Sequence, residues 1–334
     1  MSDQTFPKRP TRADTSSQQT GGLSMQNPQK DLNSCSCAII VTYNPVPAVL
    51  LALVGQISQQ SDFLLIDNAS ANADAFVPAI SALPSFLAGR CLGVRRLDSN
   101  IGLASAMNLG LREVQAQGHG FAVLFDQDSQ VPEGFFAALQ TAYAEAVALC
   151  GPRVAAIGPR IENPVSGRRM PFKLFSRVFK RADVLRAGSD NLFQADFLIS
   201  SGCLLALQHL DAIGLMKDSY FIDNVDLEWC FRASAKGFVL LGSDHTRLLH
   251  SIGEDDDNPL VRAGLIVSHS PLRSYYSTRN RVHLYRQPYA PLGWKLRDVP
   301  RFALKSAWLF LFSAQRAAYW QNIRKGFADA SGLK

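Results

Sequence analysis

The residues of this chain best suited to chemistry are Asp126 and Asp128. They flank Gln127 where the apolar run Phe121-Ala122-Val123-Leu124-Phe125 ends. Five apolar residues bounded by turn-formers predict a strand buried on both faces. In open α/β sheets, ligands bind just outside the carboxyl ends of such strands. Two carboxylates there suit one hard cation that also grips phosphate oxygens. Magnesium takes one or two protein carboxylates and completes its shell with substrate phosphates and water. The triplet therefore points to a nucleotide diphosphate ligand. Taken alone it also fits an Asp-rich turn that solvates a strand end.

Strand and helix signals alternate around this triplet. Cys37–Thr42, Phe63–Asp67, Gly93–Leu97, 121–125 and Val154–Ile157 predict strands. Pro47–Gln59, Leu103–Gln115 and the Ala-rich Glu133–Leu149 predict helices. This rhythm implies a mostly parallel sheet with helices on both faces. Neither a G-x-G-x-x-G after the first strand nor a G-x-x-x-x-G-K-[ST] occurs, which argues against a classical dinucleotide fold and a P-loop hydrolase.

Each of the first four strands leads to small polar or acidic residues: Thr42-Tyr43-Asn44, Asp67-Asn68-Ala69-Ser70, Asn100-Ile101-Gly102, then Asp126-Gln127-Asp128. Asn108 follows in the helix after the third. An Asp such as Asp67 can accept a hydrogen bond from the N3–H of a pyrimidine. Asn100 and Gly102 would let backbone approach a nucleotide closely, because glycine has no Cβ. Each group alone has a plain reading as a turn or cap; their common placement at one sheet edge favours a binding site.

This ordered series resembles the inverting family-2 glycosyltransferases of GT-A fold, over roughly residues 36–290, and within them the bacterial rhamnosyltransferases of surface-polysaccharide assembly. The resemblance implies a nucleotide-diphosphate sugar donor and Mg²⁺ or Mn²⁺. Thr42, Tyr43, Asn44, Asp67, Asn100, Gly102, Asn108, Asp126 and Gln127 would then serve the donor, Asp67 at the base. Asp126 and Asp128 would serve the ribose, diphosphate and metal. In that family a His ending a later strand meets the metal and diphosphate, and His250 after Leu248-Leu249 takes that place. A neutral imidazole suits Mn²⁺ better than Mg²⁺.

The second half adds a strand at Gly202–Leu207 and a helix over 226–236 closed by Gly237. Asp223 and Asp226 stand three apart at its start. An inverting transfer needs a carboxylate within reach of the acceptor hydroxyl; capping and dipole roles are the plain alternatives. The commoner family pattern would align Asn224 with the base. The rhamnosyltransferase branch resembles Phe-Ile-Asp-x-Val-Asp, which residues 221–226 match, so Asp223 is the favoured base and Asp226 the second. Glu254-Asp255-Asp256-Asp257 reads as a solvated loop. In the basic, aromatic stretch Tyr275–Arg281, Arg279 is placed to grip the diphosphate with two nitrogens.

Composition is that of a globular protein, with 47% hydrophobic and 19% charged residues in 334. Six scattered cysteines lack metal-site spacing and fit a reducing compartment. Net charge is +6, yet residues 260–334 carry +11 and the remainder −5. Three regions follow: a disordered polar tail over 1–33 with no secretory signal, a GT-A catalytic domain over 34–258, and a basic amphipathic helical region over 259–334. Charges at Lys305 and Arg316 interrupt the apolar run around Trp308–Phe312, which fits a helix lying in a membrane interface. No nucleic-acid motif accompanies the charge, so nucleic acid is not an expected partner.

The resemblance makes transfer of L-rhamnose from dTDP-L-rhamnose to a lipid-linked glycan acceptor the leading expectation, as in O-antigen synthesis. The enzyme would be cytoplasmic and peripheral on the inner membrane. Galactofuranose or N-acetylglucosamine transfer and a non-catalytic nucleotide-sugar-binding scaffold are the alternatives; a homo-oligomer is compatible with either.

Overall fold

The computed structural model describes residues 36–83, 90–164, 166–175, 188–250 and 270–333. The tail over 1–33, the boundary at 258–259 and the Glu254–Asp257 loop lie outside these residues. The strands are β1 (Ser36–Thr42), β2 (Asp62–Asp67), β3 (Cys91–Arg96), β4 (Phe121–Asp126), β5 (Val154–Glu162), β6 (Leu192–Gln194), β7 (Leu204–Ala206) and β8 (Val239–Leu249). They form one sheet in the order β3-β2-β1-β4-β7-β5-β8-β6.

The first four strands are parallel, with β1 between β2 and β4. All their carboxyl ends therefore share one edge, and the register pairs Thr42 with Asp67 and Val41 with Asp126. These strands are apolar on both faces because helices cover both. Helices Pro47–Ser58 and Phe135–Cys150 pack on one side and Leu103–Ala116 on the other. Gly110 lets the last of these lie close on β1, where a Cβ would fall 2.5 Å from Ile39 Cγ2.

The second half departs from simple alternation. The expected strand at 202–207 is β7, only three residues long and antiparallel to both β4 and β5. It follows the turn Ser200–Cys203, whose Gly202 and Cys203 bond back to Leu124, so the chain returns beside β4 without a crossover. β6 is a short antiparallel edge strand that carried no periodic signal. β5 continues past Ile157 to Glu162 along β8.

Three helices close the described chain: Pro271–Arg286, Leu292–Phe312 and Arg316–Asp329. The first and third meet closely at Gly326, where a Cβ would lie 2.8 Å from the Tyr275 carbonyl oxygen. Phe231, Leu284 and Trp294 form a small core that fastens this region to helix Val225–Ala235. No helix among the described residues is long and apolar enough to cross a membrane.

Candidate donor and metal site

Asp67 ends β2 with only 1% of its surface exposed. Its Oδ1 accepts the Ser70 N–H at 3.2 Å. Its buried Oδ2 has no hydrogen-bond partner, and Arg96 Nε stands 3.9 Å away, beyond hydrogen-bond reach. A buried acceptor without a donor is costly, so this oxygen is suited to a donor brought by a ligand.

The neighbouring residues build the rim. Gln127 Oε1 accepts from Thr42 Oγ1 at 2.9 Å and from the Tyr43 N–H at 2.8 Å, strapping the ends of β1 and β4 together. The Tyr43 ring stays half exposed at this edge. Asn44, at φ +49°, accepts from the Ala71 N–H at 2.8 Å. Asn68 accepts from the Ile101 N–H and donates to Asn100 Oδ1, which also accepts from the Gly102 N–H. The loops after β1, β2 and β3 are thus cross-linked before any ligand arrives.

Two of the expected donor residues also make structural contacts. Gly102 adopts φ +87°, and a Cβ there would lie 2.6 Å from the Phe221 ring. Its bare backbone admits Phe221, and the Phe221 carbonyl accepts from the Leu103 N–H. Asn108 is fully buried. It donates to the Met216 carbonyl and Asp218 at 2.7 Å each, which uses both its N–H groups, and accepts from the Met216 N–H.

His250 follows β8 and stands between the two carboxylates of the Asp-Gln-Asp triplet. Its Nε2 is 3.6 Å from Asp126 Oδ2 and its Nδ1 is 3.6 Å from Asp128 Oδ1. Neither distance is a hydrogen bond, and the buried Nδ1 has no hydrogen-bond partner among the described residues. Burial pushes the Asp126 carboxyl up and Asp128 adds to this, while His250 and Arg273 oppose it. An orphaned imidazole nitrogen beside an exposed carboxylate is a donor pair that suits Mn²⁺. No three acidic, His or Cys side chains among the described residues form a finished cage. Diphosphate oxygens would have to complete the shell.

The loop before helix Val225–Ala235 is strained. Phe221, Asp223 and Asn224 hold φ values of +57°, +66° and +59°, a region costly for residues with side chains. Asn280, itself fully buried, pins it by donating to the carbonyls of Tyr220, Ile222 and Asp223 at 2.7, 2.8 and 2.9 Å. Arg273 grips the Asp223 carboxylate, Nη2 to Oδ1 at 2.9 Å. Asp226 has no such partner. Its Oδ1 accepts the Leu227 N–H at 2.8 Å. Burial and the negative charge of Asp126 push its carboxyl up to about 6, the Leu227 N–H working against them.

Arg279 does not face the carboxylates. It donates to the Ser219 carbonyl and Asn280 Oδ1 and lies over the Tyr275 and Tyr276 rings. Arg273 is the guanidinium that reaches Asp223 and is felt by Asp126. Sequence reasoning missed Arg273 and Asn280. Both lie on helix Pro271–Arg286, where several cations repeat and no pattern singles out one.

The carboxyl ends of the parallel strands gather an unpaired buried acceptor, an Asp-x-Asp turn and a facing His, on a mostly parallel sheet of GT-A architecture. Residues 37–199 match the model of Glycosyl transferase family 2, and this part of the chain is a family-2 glycosyltransferase domain acting on nucleotide sugars. The chain is 28% identical over 269 residues to the dTDP-rhamnosyl transferase RfbF of Shigella flexneri, covering 80% of this chain and 86% of that protein. It is 24% identical over 297 residues to the galactofuranosyltransferase GlfT1 of Mycobacterium tuberculosis, covering 86% and 92%. Among solved structures it resembles GalNAc-T7 with UDP, GalNAc and Mn²⁺, at 15% identity and a TM-score of 0.56. That match covers 90% of this chain but only 55% of the other.

Proposed function

We propose that this protein transfers L-rhamnose from dTDP-L-rhamnose to a hydroxyl of a glycan acceptor, with inversion at the anomeric carbon. The observation that carries the reading is the similarity to a dTDP-rhamnosyl transferase over four-fifths of the chain. The site supplies the parts such a reaction needs. Asp67 Oδ2 accepts the N3–H of the pyrimidine, and Tyr43 lies beside it at the rim. Asp128 and His250, with Asp126 adjacent, would hold Mn²⁺ or Mg²⁺. That cation would offset the charge developing on the departing diphosphate. Arg273 is the guanidinium nearest to assist it.

Asp226 is assigned as the base, ahead of Asp223. A general base works best with a pKa near the operating pH, and Asp226 is raised to about 6. Asp223 is instead occupied by its ion pair with Arg273. In the step, Asp226 takes the proton of the acceptor hydroxyl. That oxygen bonds to the anomeric carbon as the bond to the diphosphate oxygen breaks on the opposite face. Asn280 and Arg273 are positioning residues that hold the strained loop and keep Asp223 away from this role.

Galactofuranose transfer is the second reading, favoured by the similarity to GlfT1. Asp67 does not separate the two, because thymine and uracil share the N3–H. Calorimetric titration of dTDP and UDP with Mn²⁺, then with chelator, decides between them. Metal-dependent binding at least tenfold tighter for dTDP is expected. Preference for UDP would overturn the rhamnose reading, and no binding of either would overturn the transferase reading.

A further inference from the structure

Helix Leu292–Phe312 is amphipathic in the unusual sense: its apolar face points away from the protein. Leu292, Leu296, Val299, Leu304, Phe310 and Leu311 are all exposed, Leu292 at 69%, Leu304 at 71% and Leu311 at 61%. Ala303 and Ala307 fill the turns between them, so the three- and four-residue spacing runs unbroken along one stripe. The residues this helix buries, Trp294 and Leu309, lie on the other side. Single exposed leucines need no explanation, but a contiguous stripe along a 21-residue helix does. The stripe continues onto the next helix, where exposed Trp320 meets Phe310 with ring centroids 5.4 Å apart.

The charge around this stripe is one-sided. Residues 292–329 contain seven Lys and Arg against two acids, Asp298 and Asp329. Both acids are already paired, Asp298 with Arg281 and Tyr285, Asp329 with Lys325 and Tyr275. Arg301, Arg316 and Arg324 are exposed on the same two helices, Arg316 and Arg324 on the face of Trp320. An outward apolar face flanked by cations fits a surface that is apolar within and anionic at its boundary.

We infer that this face docks on an anionic lipid bilayer, with the two helices lying in the headgroup boundary rather than crossing it. Interfacial helices bind through buried apolar area together with attraction to anionic lipid. Docking would have a consequence for the site. The same helix rests on Pro271–Arg286, which supplies Arg273 and Asn280, so the strained loop and Asp226 would be held at a fixed height above the membrane. An acceptor presented from that surface would meet the base without leaving it. The docking itself stands whichever sugar is transferred.

The test is flotation of the full chain with phosphatidylcholine vesicles and with vesicles about one-third phosphatidylglycerol. Binding about tenfold stronger to the anionic vesicles is expected, since each cation near the surface adds about 1 kcal/mol. Leu304→Glu with Leu311→Glu should lower that binding at least tenfold while calorimetric dTDP or UDP affinity stays unchanged, which shows the domain is folded. Arg301→Glu with Arg316→Glu should remove the anionic preference. Failure to float on anionic vesicles, or flotation indifferent to the leucine substitutions, would overturn the inference. So would a dimer, seen by light scattering, that the leucine substitutions dissociate; the face would then belong to a second copy.

Discussion

Arg273 holds the Asp223 carboxylate through two of its nitrogens, with Nε 3.1 and 3.2 Å from the two oxygens and Nη2 2.9 Å from the first. A carboxylate gripped this way has its oxygens turned to the guanidinium rather than open to an acceptor hydroxyl. Asp226, three residues on, lacks that grip and sits desolvated near Asp126. Asp226→Asn should therefore lower kcat by about 10²–10⁴-fold while leaving nucleotide affinity within about twofold. Asp223→Asn should have a smaller effect on kcat. Steady-state kinetics beside calorimetry separates them, and the reverse order would restore Asp223 as base.

The same carboxyl sets a pH dependence. It is raised from an ordinary 3.8 to about 6, so turnover should rise as pH climbs through about 6 and the base ionises. Stability follows the opposite sign. The folded protein keeps this proton up to about pH 6, whereas the unfolded chain releases it near 3.8. The contribution is complete below 3.8 and is lost as pH rises through 6. Asp226→Asn should thus melt higher than the parent at pH 8, with the gap closing towards pH 4. A variant that melts lower than the parent at pH 8 would contradict the burial argument.

Much of this site could be read from residue order because parallel strands deliver their carboxyl ends to one edge. Once the strands through Thr42, Asp67 and Asp126 were predicted, their polar ends had to be neighbours. Side-chain commitments were not legible in the same way. Nothing in spacing distinguishes an Asn that binds a ligand from Asn108, which is consumed by Met216 and Asp218. Gly102 has the same ambiguity, since the partner that demands its bare backbone is Phe221, more than a hundred residues away. The preference for Asp223 over Asp226 rested on local pattern, whereas the ion pair with Arg273 and the proximity of Asp126 are tertiary facts. β6 was missed because three residues are too few to show a period, and β7 is shorter than the strand expected at Gly202–Leu207.

Asp67 offers a test that does not depend on turnover. Its buried Oδ2 is unpaired, so a ligand donor there gains a charge-assisted hydrogen bond. Asp67→Ala should weaken dTDP or UDP binding by about ten- to a hundredfold, the effect of losing roughly 1.5–3 kcal/mol. The substitution also removes the Oδ1 that accepts from the Ser70 N–H, so a stability loss of about 1–3 kcal/mol is expected beside the loss of affinity. Calorimetry and thermal melts read both quantities on the same samples. Nucleotide affinity unchanged in the Ala variant would remove Asp67 from the base pocket.

Asn280 tests whether the strained loop matters to the chemistry. Its amide holds the carbonyls of Tyr220, Ile222 and Asp223 while Phe221, Asp223 and Asn224 adopt left-handed backbone. Strain of this kind persists only where the surroundings enforce it. Asn280→Ala removes the enforcement and leaves buried carbonyls unpaired, so a stability loss of about 1–3 kcal/mol is expected. The loop should relax, moving Asp226 relative to the acceptor. The kinetic signature is a fall in kcat with little change in donor affinity, because the proposed nucleotide contacts lie at the ends of β1, β2 and β4. Asn280→Asp keeps the shape but replaces the donating amide with an acceptor, so it should fail to rescue. A purely structural role would show the stability loss with kcat intact at temperatures where the variant is folded, and that result would separate loop strain from catalysis.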